Sequence, residues 1–171
     1  MVTNIPTRDY DDPSVETSRR AAEYRGQWIY YLLKAMRDHG FDYETIGRKA
    51  IFALGRSNKE GFPDNNSAKD FANALLAPGS AEPMQIEPVS VEEDKAQVTF
   101  GYCPMCNIWQ KLTDDQDFIA NLCDIAMDVD RGLLSTYDRL ELVLDGGRIS
   151  AGHCRCDFAV KKTTGGGMEY E

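Results

Sequence analysis

The segment that decides the fold covers residues 84 to 112 and reads MQIEPVSVEEDKAQVTFGYCPMCNIWQKL. Apolar residues alternate with polar ones on both sides of the acidic triplet at 92–94, which is the pattern of a β-hairpin. The second strand then leads into Cys103-Pro104, where proline suits the first position of a helix. The segment therefore predicts two antiparallel strands followed directly by a helix. The alternating residues are Met84, Ile86, Val89, Val91, Ala96, Val98 and Phe100.

Helical patterns precede this hairpin, and a second pair of strands follows it. Capping residues and apolar spacing predict helices over 15–38, 43–54 and 68–76, and a long helix from Asp114 to Leu134. Strands are predicted over 139–144 and 154–160. Because helices come first and antiparallel strands follow, the predicted fold class is α+β, with N-terminal helices and then an antiparallel sheet of about four strands interrupted by a long helix.

The length of 171 residues suits one domain that folds around a single core without metal or disulfide staples. We expect this domain to cover residues 14–160. Residues 1–13 have no periodic pattern and are expected to be flexible. The tail at 161–171 contains three glycines and is also expected to be flexible.

The first predicted helix carries a stripe of large apolar residues at spacings of three, four and seven. Aromatic stripes at helical spacing usually pack inside the protein. We therefore expect Trp28 and the tyrosines beside it to fill the core. The stripe consists of Ala21, Tyr24, Trp28, Tyr31, Leu32 and Ala35.

Charge and apolar content exclude several classes of partner. The formal net charge is −9, and the 19 Lys and Arg residues are scattered among 28 Asp and Glu residues, so no nucleic acid or anionic membrane partner is expected. No apolar run approaches the roughly 18 to 20 residues of a spanning helix, and the polar start does not resemble a signal peptide. We expect a cytoplasmic protein with reduced thiols and a small-molecule substrate, and leave a homo-oligomer open.

All five cysteines lie between residues 103 and 156. Cys103 precedes Pro104 at a predicted helix N-terminus, where the helix dipole and free N–H groups favour a thiolate. Cys103 is therefore a candidate reactive thiol. The alternative is a small residue buried where a strand meets a helix.

Asp130 is the acidic residue that the long predicted helix places inside its apolar arc. Projected at about 100° per residue, Asp130 falls between Ile119 and Cys123, whereas Asp124 and Asp128 fall on the opposite face. A carboxylate directed at a core needs hydrogen bonds or a cation, or else it holds a proton at a raised pKa. Asp130 is thus a candidate functional residue, with a structural cap as the alternative.

The last predicted strand adds further candidates. Alternation places Cys154, Cys156 and Phe158 on one face and directs Arg155 and Asp157 to the other. His153 lies at the start of this strand, where a histidine is more often a hydrogen-bonded structural group than a base.

A zinc site is an alternative interpretation of the same cysteines. Cys103 and Cys106, followed by His153, Cys154 and Cys156, offer enough soft ligands for a tetrahedral site. However, the second group lacks the two-residue gap of a zinc knuckle. We therefore predict neither a metal nor any other cofactor.

Four segments resemble the L-2-amino-thiazoline-4-carboxylic acid hydrolase family. They are FGYCPMCNIWQKL at 100–112, LCDIAMDVDRGLL at 122–134, LELVL at 140–144 and GHCRCDF at 152–158. The resemblance implies that the family's Cys-Pro corresponds to Cys103-Pro104, its aspartate to Asp130, and its Cys-Asp-Phe to Cys156-Asp157-Phe158. Some members have a cysteine where this chain has Met127.

The resemblance implies a hydrolase that opens a cyclic isothiourea. Water adds to the carbon between ring sulfur and ring nitrogen, the C–S bond breaks, and the product is an N-carbamoyl-cysteine. Such a step needs a proton donor and either an activated water or a thiolate. Cys103, Asp130 and Cys156 are the expected catalytic residues.

Other residues near these three are expected to bind the substrate. His153 is a candidate proton shuttle, and Arg155 or Arg148 is suited to hold a substrate carboxylate by a bidentate contact. Cys123 lies on the same side of its helix as Asp130. The alternative function is a non-catalytic small-molecule-binding domain that acts as a sensor or scaffold, with or without zinc.

Overall fold

The structure is a computed structural model that describes residues 4–153 and 155–164. Six α-helices and four strands are found within these residues. The helices are α1 (Pro13–Asp38), α2 (Tyr43–Ser57), α3 (Ala68–Leu75), α4 (Pro104–Leu112), α5 (Gln116–Ala126) and α6 (Asp128–Leu134). The strands are β1 (Ile86–Val91), β2 (Lys95–Phe100), β3 (Leu140–Val143) and β4 (Cys156–Lys162). Short 3-10 turns occupy Lys59–Gly61, Glu82–Met84 and Ile149–Ala151.

The four strands form one antiparallel sheet in the order β1-β2-β4-β3. The predicted α+β class is therefore confirmed, including the hairpin of β1 and β2. The helical segment between β2 and β3 differs from the prediction. The single helix expected over 114–134 is two helices that meet at Met127. The strand expected from Cys154 begins at Cys156 instead.

Apolar side chains collect in two clusters. The first lies between the sheet and the helices α3 and α6, and includes Phe71, Val98, Leu134 and Phe158. The second lies among the helices and includes Trp109, Ile119, Leu122 and Ile125. Cys156, on the inner side of β4, packs against this second cluster, so the thiols lie where the sheet meets the helical layer.

The stripe on α1 was predicted to be core, and this prediction is wrong. Tyr24, Trp28, Tyr31 and Leu32 are each about 60% exposed. The opposite face of α1 is buried instead, because Gly26 lets α4 approach so closely that a Cβ there would lie 2.9 Å from Ile108 Cγ2. Sequence periodicity alone could not choose between two apolar faces of one helix.

Helices α2 and α6 cross at very short range through two glycines. A Cβ on Gly55 would lie 2.0 Å from the Val129 carbonyl oxygen, and one on Gly132 would lie 2.1 Å from the Phe52 carbonyl oxygen. Real Cβ atoms do not approach backbone this closely, so only glycine fits at either position. This contact fixes α6, and with it the aspartates at its start.

The two ends of the chain, residues 1–13 and 161–171, were both expected to be flexible. Residues 4–12 contain no helix or strand, but Asn4 is buried against the start of α4. Most of the tail that was expected to be flexible, residues 165–171, lies outside the described residues, as does Cys154. Within the described part of the chain, no helix combines the length and apolar character needed to cross a bilayer.

Candidate functional site

Cys103 occupies the N-cap of α4, as the sequence predicted. Its sulfur accepts a hydrogen bond from the Cys106 backbone N–H at 3.4 Å. Burial nevertheless raises the pKa of the Cys103 thiol well above its ordinary value, and the hydrogen bond from Cys106 opposes this only in part. The prediction of a thiolate at this helix terminus is therefore wrong. The loss of water around the sulfur outweighs the effect of the helix dipole, and the resting thiol is protonated.

Asn4 holds the backbone of Cys103 from both sides. The Asn4 amide donates to the Cys103 carbonyl oxygen at 2.8 Å, and its side-chain oxygen accepts from the Cys103 N–H at 3.0 Å. This pair of bonds mimics one step of a β-ladder and fixes the entry into α4. Sequence reasoning missed Asn4, since a polar residue 99 positions away gives no local signal.

Cys156 lies at the same end of the sheet as Cys103. It pairs with Phe100 across β2 and β4, and Cys103 follows Phe100 by three residues. The Cys156 sulfur accepts a hydrogen bond from the Ile149 N–H at 3.0 Å. Burial raises the pKa of Cys156 to about 11, so this thiol is also protonated at neutral pH.

Cys106 and Cys123 complete a group of thiols at this place. Burial raises the pKa of Cys106 to about 12. It also raises that of Cys123, where a hydrogen bond with Ser150 and the charge of Arg148 oppose the shift. Negative charge on any of Cys106, Cys123 or Cys156 would raise the pKa of Cys103 further, so all four lie within electrostatic reach. We call Cys103, Cys106, Cys123 and Cys156 the thiol cluster.

Asp130 lies on α6 and is partly buried. Burial raises the pKa of its carboxyl to about 7, against the attraction of Arg131 and the residue's own N–H. Among the described residues, its side chain forms no ion pair and no hydrogen bond to a thiol. Asp130 therefore exchanges its proton near neutral pH, which is the property that a general acid or base needs.

Asp128, two residues earlier, is fully buried in a network of charges. Arg131 contacts it at 2.7 Å and Arg48 of α2 at 3.2 Å. The sequence placed Asp128 on the solvent side of its helix, and the structure corrects this, because Arg48 reaches it from a distant part of the chain. Buried and paired on two sides, Asp128 is a structural carboxylate.

Asp124 joins this network to the thiol cluster. Burial acts to raise the pKa of Asp124, but hydrogen bonds from Arg148, Arg131 and Arg48 outweigh it and hold the pKa below its usual range. The Arg148 contact measures 2.9 Å. We call Asp124, Asp128, Arg48, Arg131 and Arg148 the charge network. Three guanidinium groups against two carboxylates leave it with an excess positive charge next to Cys123.

The other predicted substrate-binding residues lie in different places. Arg148 acts electrostatically on both Cys123 and Cys156, and so borders the thiol cluster. His153 is exposed and packs over Gly147. Arg155 is exposed on the outer side of the sheet, where it pairs with Glu87 of β1 at 3.1 Å. The structure thus brings Arg148 to the thiols but directs Arg155 away from them.

A small cleft of about 150 Å³ opens on the outer face of the sheet. Asp157 lines it, next to Cys156 in sequence but on the other face of β4. No member of the thiol cluster lines this cleft, so the cleft and the thiols are separate features. Its lining consists of Lys95, Gln97, Val143, Asp145, Gly146, Asp157, Phe158 and Ala159.

The zinc interpretation requires residues on both sides of position 154. Within residues 4–153 and 155–164, no group of three or more His, Cys, Asp or Glu side chains is arranged to hold a metal ion. Cys154, which that interpretation includes, is outside the described residues.

Comparisons with known proteins place the chain in a family. No curated protein matches it. A crystal structure of a trafficking protein particle complex subunit 3 from Naegleria fowleri, covalently bound to palmitic acid, is similar to this chain with a TM-score of 0.55 and 14% identity, over 86% of this chain and 98% of that one. At this identity the likeness concerns the fold. The family model for L-2-amino-thiazoline-4-carboxylic acid hydrolase matches residues 21–160, which include α4, Asp130 and Cys156, and the chain therefore belongs to that family.

Proposed function

We propose that the protein hydrolyses a small cyclic thiazoline such as 2-amino-thiazoline-4-carboxylate. Water adds to the ring carbon that carries the amino group, the C–S bond breaks, the sulfur takes a proton, and the product is N-carbamoyl-cysteine. The family match over residues 21–160 is the observation that carries this proposal. A catalytic Cys/Asp site formed by Cys103, Asp130 and Cys156 is part of the same proposal.

Asp130 is the group best suited to activate the water. A carboxyl whose pKa is about 7 is partly ionised at neutral pH, and the ionised form accepts a proton from an attacking water. The protonated form can return that proton to the departing sulfur or to the ring nitrogen. One group can therefore serve both halves of the reaction.

The thiols are best suited to act in their neutral form. Burial raises the pKa values of Cys103 and Cys156, so a thiolate nucleophile would first have to lose its proton to a base. Direct attack by water avoids this step. In our proposal Cys103 and Cys156 form the apolar wall of the site and their S–H groups donate to the ring.

The order of the helices relates Asp130 to the thiol cluster. Cys123 lies in the last turn of α5, and Asp130 lies in the first turn of α6, which begins directly after Met127. In our proposal a small ring and one water lie between these two side chains. Arg148, beside Cys123 and Cys156, supplies the positive charge for the substrate carboxylate, and Asp124 holds its guanidinium in place.

The experiment is a turnover assay with 2-amino-thiazoline-4-carboxylate, in which mass spectrometry follows N-carbamoyl-cysteine and a thiol reagent follows the released sulfhydryl. We expect turnover by the natural chain and at least roughly a 100-fold loss of kcat/KM in Asp130→Asn, because the amide cannot accept the proton. The matched control is Asp117→Asn, which changes an exposed aspartate of α5 in the same way and should keep full activity. Full activity in Asp130→Asn would remove Asp130 from the mechanism.

A non-catalytic binding domain is the second candidate. The trafficking subunit with this fold is described as covalently bound to palmitic acid, so a protein of this fold can carry a bound ligand. The thiol cluster, with Cys106 buried and its other three members partly buried, is compatible with that role. A ligand that raises the melting temperature without forming product, in the same assay, would favour binding over hydrolysis.

A further inference from the structure

Helix α1 carries a second apolar face that nothing in the structure covers among the described residues. Tyr24, Trp28, Tyr31 and Leu32 are exposed, and Trp28 has 65% of its surface in water. Together with the exposed Ala21 and Ala35 they occupy an arc of about 100°. This arc, the aromatic stripe, lies on the side of α1 opposite to its buried residues Ala22, Gly26, Tyr30 and Leu33.

The size of the aromatic stripe is that of a contact surface. Large aromatic side chains each contribute on the order of 200 Å², so four residues that are about 60% exposed leave roughly 400 to 500 Å² of apolar area in one row. Contiguous patches of this size usually mark an interaction site. A stable interface needs roughly 800 Å² on each partner, so the stripe supplies about half of one side and flanking polar groups supply the rest.

The stripe is nearly symmetric about Trp28. Ala21 and Ala35 lie seven residues before and after it, and Tyr24 and Leu32 lie four residues before and after it. Two such helices that run in opposite directions place small residues against small ones and large against large, with the two Trp28 side chains at the centre. A self-complementary surface of this kind is what a two-fold dimer requires.

Charges beside the stripe are arranged almost symmetrically, since Arg20 precedes Trp28 by eight residues and Asp38 follows it by ten. Arg20 and Asp38 lie near the two ends of α1 on the same flank of the stripe, since the 18 residues between them correspond to five full turns. In the structure Arg20 pairs with Glu16 and Asp38 pairs with Lys34; Arg20, Glu16 and Asp38 are exposed and Lys34 is partly buried. In an antiparallel pair of helices, Arg20 of each copy meets Asp38 of the other. In a parallel pair Arg20 would instead face the other flank of α1, which carries Arg25 and no Asp or Glu.

We propose that the aromatic stripe binds the aromatic stripe of a second copy, so that two α1 helices pack antiparallel about a two-fold axis at Trp28. The net charge of −9 makes an anionic membrane a poor alternative for the same face. This dimer lies outside the thiol cluster and does not depend on the proposed hydrolysis.

Sedimentation equilibrium of the full chain tests the proposal. We expect a dimer that dissociates on dilution, and a monomer for Trp28→Arg with an unchanged melting temperature, because Trp28 is exposed in the folded chain. The matched control is Val89→Arg, which places the same charge at an exposed apolar site on β1 and should leave the dimer intact. A natural chain that stays monomeric at about 100 μM, or a dimer that persists in Trp28→Arg, would overturn the proposal. Vesicle binding by a monomeric chain would do the same.

Charge reversal tests the direction of the helices. Arg20→Glu should weaken the dimer by about threefold or more in Kd, because the introduced carboxylate then faces Asp38 of the other copy, and adding Asp38→Arg should restore it. If Arg20→Glu and Asp38→Arg each weaken the dimer and the double variant does not recover the Kd of the natural chain, the antiparallel arrangement is contradicted.

Disulfide mapping gives an independent test. When Ala21→Cys and Ala35→Cys chains are mixed and oxidised, the antiparallel dimer forms the mixed disulfide, which peptide mass spectrometry identifies. Disulfides that join position 21 to position 21 and position 35 to position 35 would indicate a parallel pair and overturn the proposal.

Discussion

The two sides of α6 give a carboxylate opposite surroundings: one side provides charged partners and the other does not. On the side joined to α2, Asp128 is fully buried and paired with Arg48 and Arg131. Two residues along, and so about 200° around the helix, Asp130 is partly buried, forms no ion pair among the described residues, and has its pKa raised to about 7. Burial with a partner makes a carboxylate structural, whereas burial without one keeps a proton available at neutral pH.

The largest effect is expected at the contact between α2 and α6. Gly132→Ala puts a Cβ into the Phe52 carbonyl group, which cannot move without shifting α2, so we expect a loss of about 4 kcal/mol or more in the free energy of unfolding. Chemical denaturation measures it. Gly61→Ala is the matched control, since nothing lies within 4 Å of a Cβ there. Equal stability of the two variants would show that the α2–α6 contact is not tight.

The next effect separates the two aspartates. Asp128→Asn leaves Arg48 and Arg131 with an uncharged partner inside the protein, so we expect a loss of about 3 kcal/mol in the free energy of unfolding. Asp130→Asn removes no ion pair and should not lower stability at pH 7. Denaturant melts of both variants, with Asp117→Asn as the exposed control, give the comparison. A larger loss for Asp130→Asn than for Asp128→Asn would reverse the two roles.

A smaller effect is expected in the pH dependence of stability. In the unfolded chain the Asp130 carboxyl ionises near its ordinary pKa of 3.8, whereas in the folded chain it stays protonated up to about 7. The folded state therefore binds more protons between these values, and Asp130 makes stability fall as pH rises from about 4 to about 7, with no further change above that.

The variant Asp130→Asn lacks this contribution. We expect it to gain stability relative to the natural chain across that interval, by on the order of 1 to 3 kcal/mol, because some water still reaches the carboxyl. Parallel stability curves for the two proteins from pH 4 to pH 8 would contradict the raised pKa.

The smallest expected effect is on the rate at which Cys103 is alkylated, and it involves no change in stability. Because burial raises the pKa of Cys103, we expect iodoacetamide at pH 8 to modify it at least about tenfold more slowly in the folded protein than in guanidinium. Mass-resolved labelling measures the rate at each cysteine. Faster labelling of Cys103 in the folded state would restore the thiolate nucleophile that the sequence suggested.

The sequence predicted those features that depend on neighbours along the chain. Alternating residues defined the hairpin of β1 and β2, and proline after Cys103 defined the N-cap of α4, because both signals are local. Helical projection also placed Asp130 towards the apolar side. The family resemblance at residues 100–158 agreed with the match over 21–160.

Features that depend on distant residues could not be predicted in this way. Asp128 was assigned to solvent because its partner Arg48 lies 80 residues earlier. The aromatic stripe of α1 was assigned to the core because no local signal shows that α4 packs against the other face of α1, the one that contains Gly26. The pKa of Cys103 was misjudged because the helix dipole can be inferred from sequence, whereas the loss of water around a sulfur depends on packing.

The most direct test of the contrast between the two sides of α6 is the Asp130 pKa itself. Carbon-detected NMR of the aspartate carboxyl carbons, titrated from pH 3 to pH 9 and assigned by comparison with Asp130→Asn, follows this group alone. We predict a carboxyl signal, absent from the variant, that titrates near pH 7. A midpoint for Asp130 near about 4, the value of an ordinary exposed aspartate, would contradict the proposed role in proton transfer.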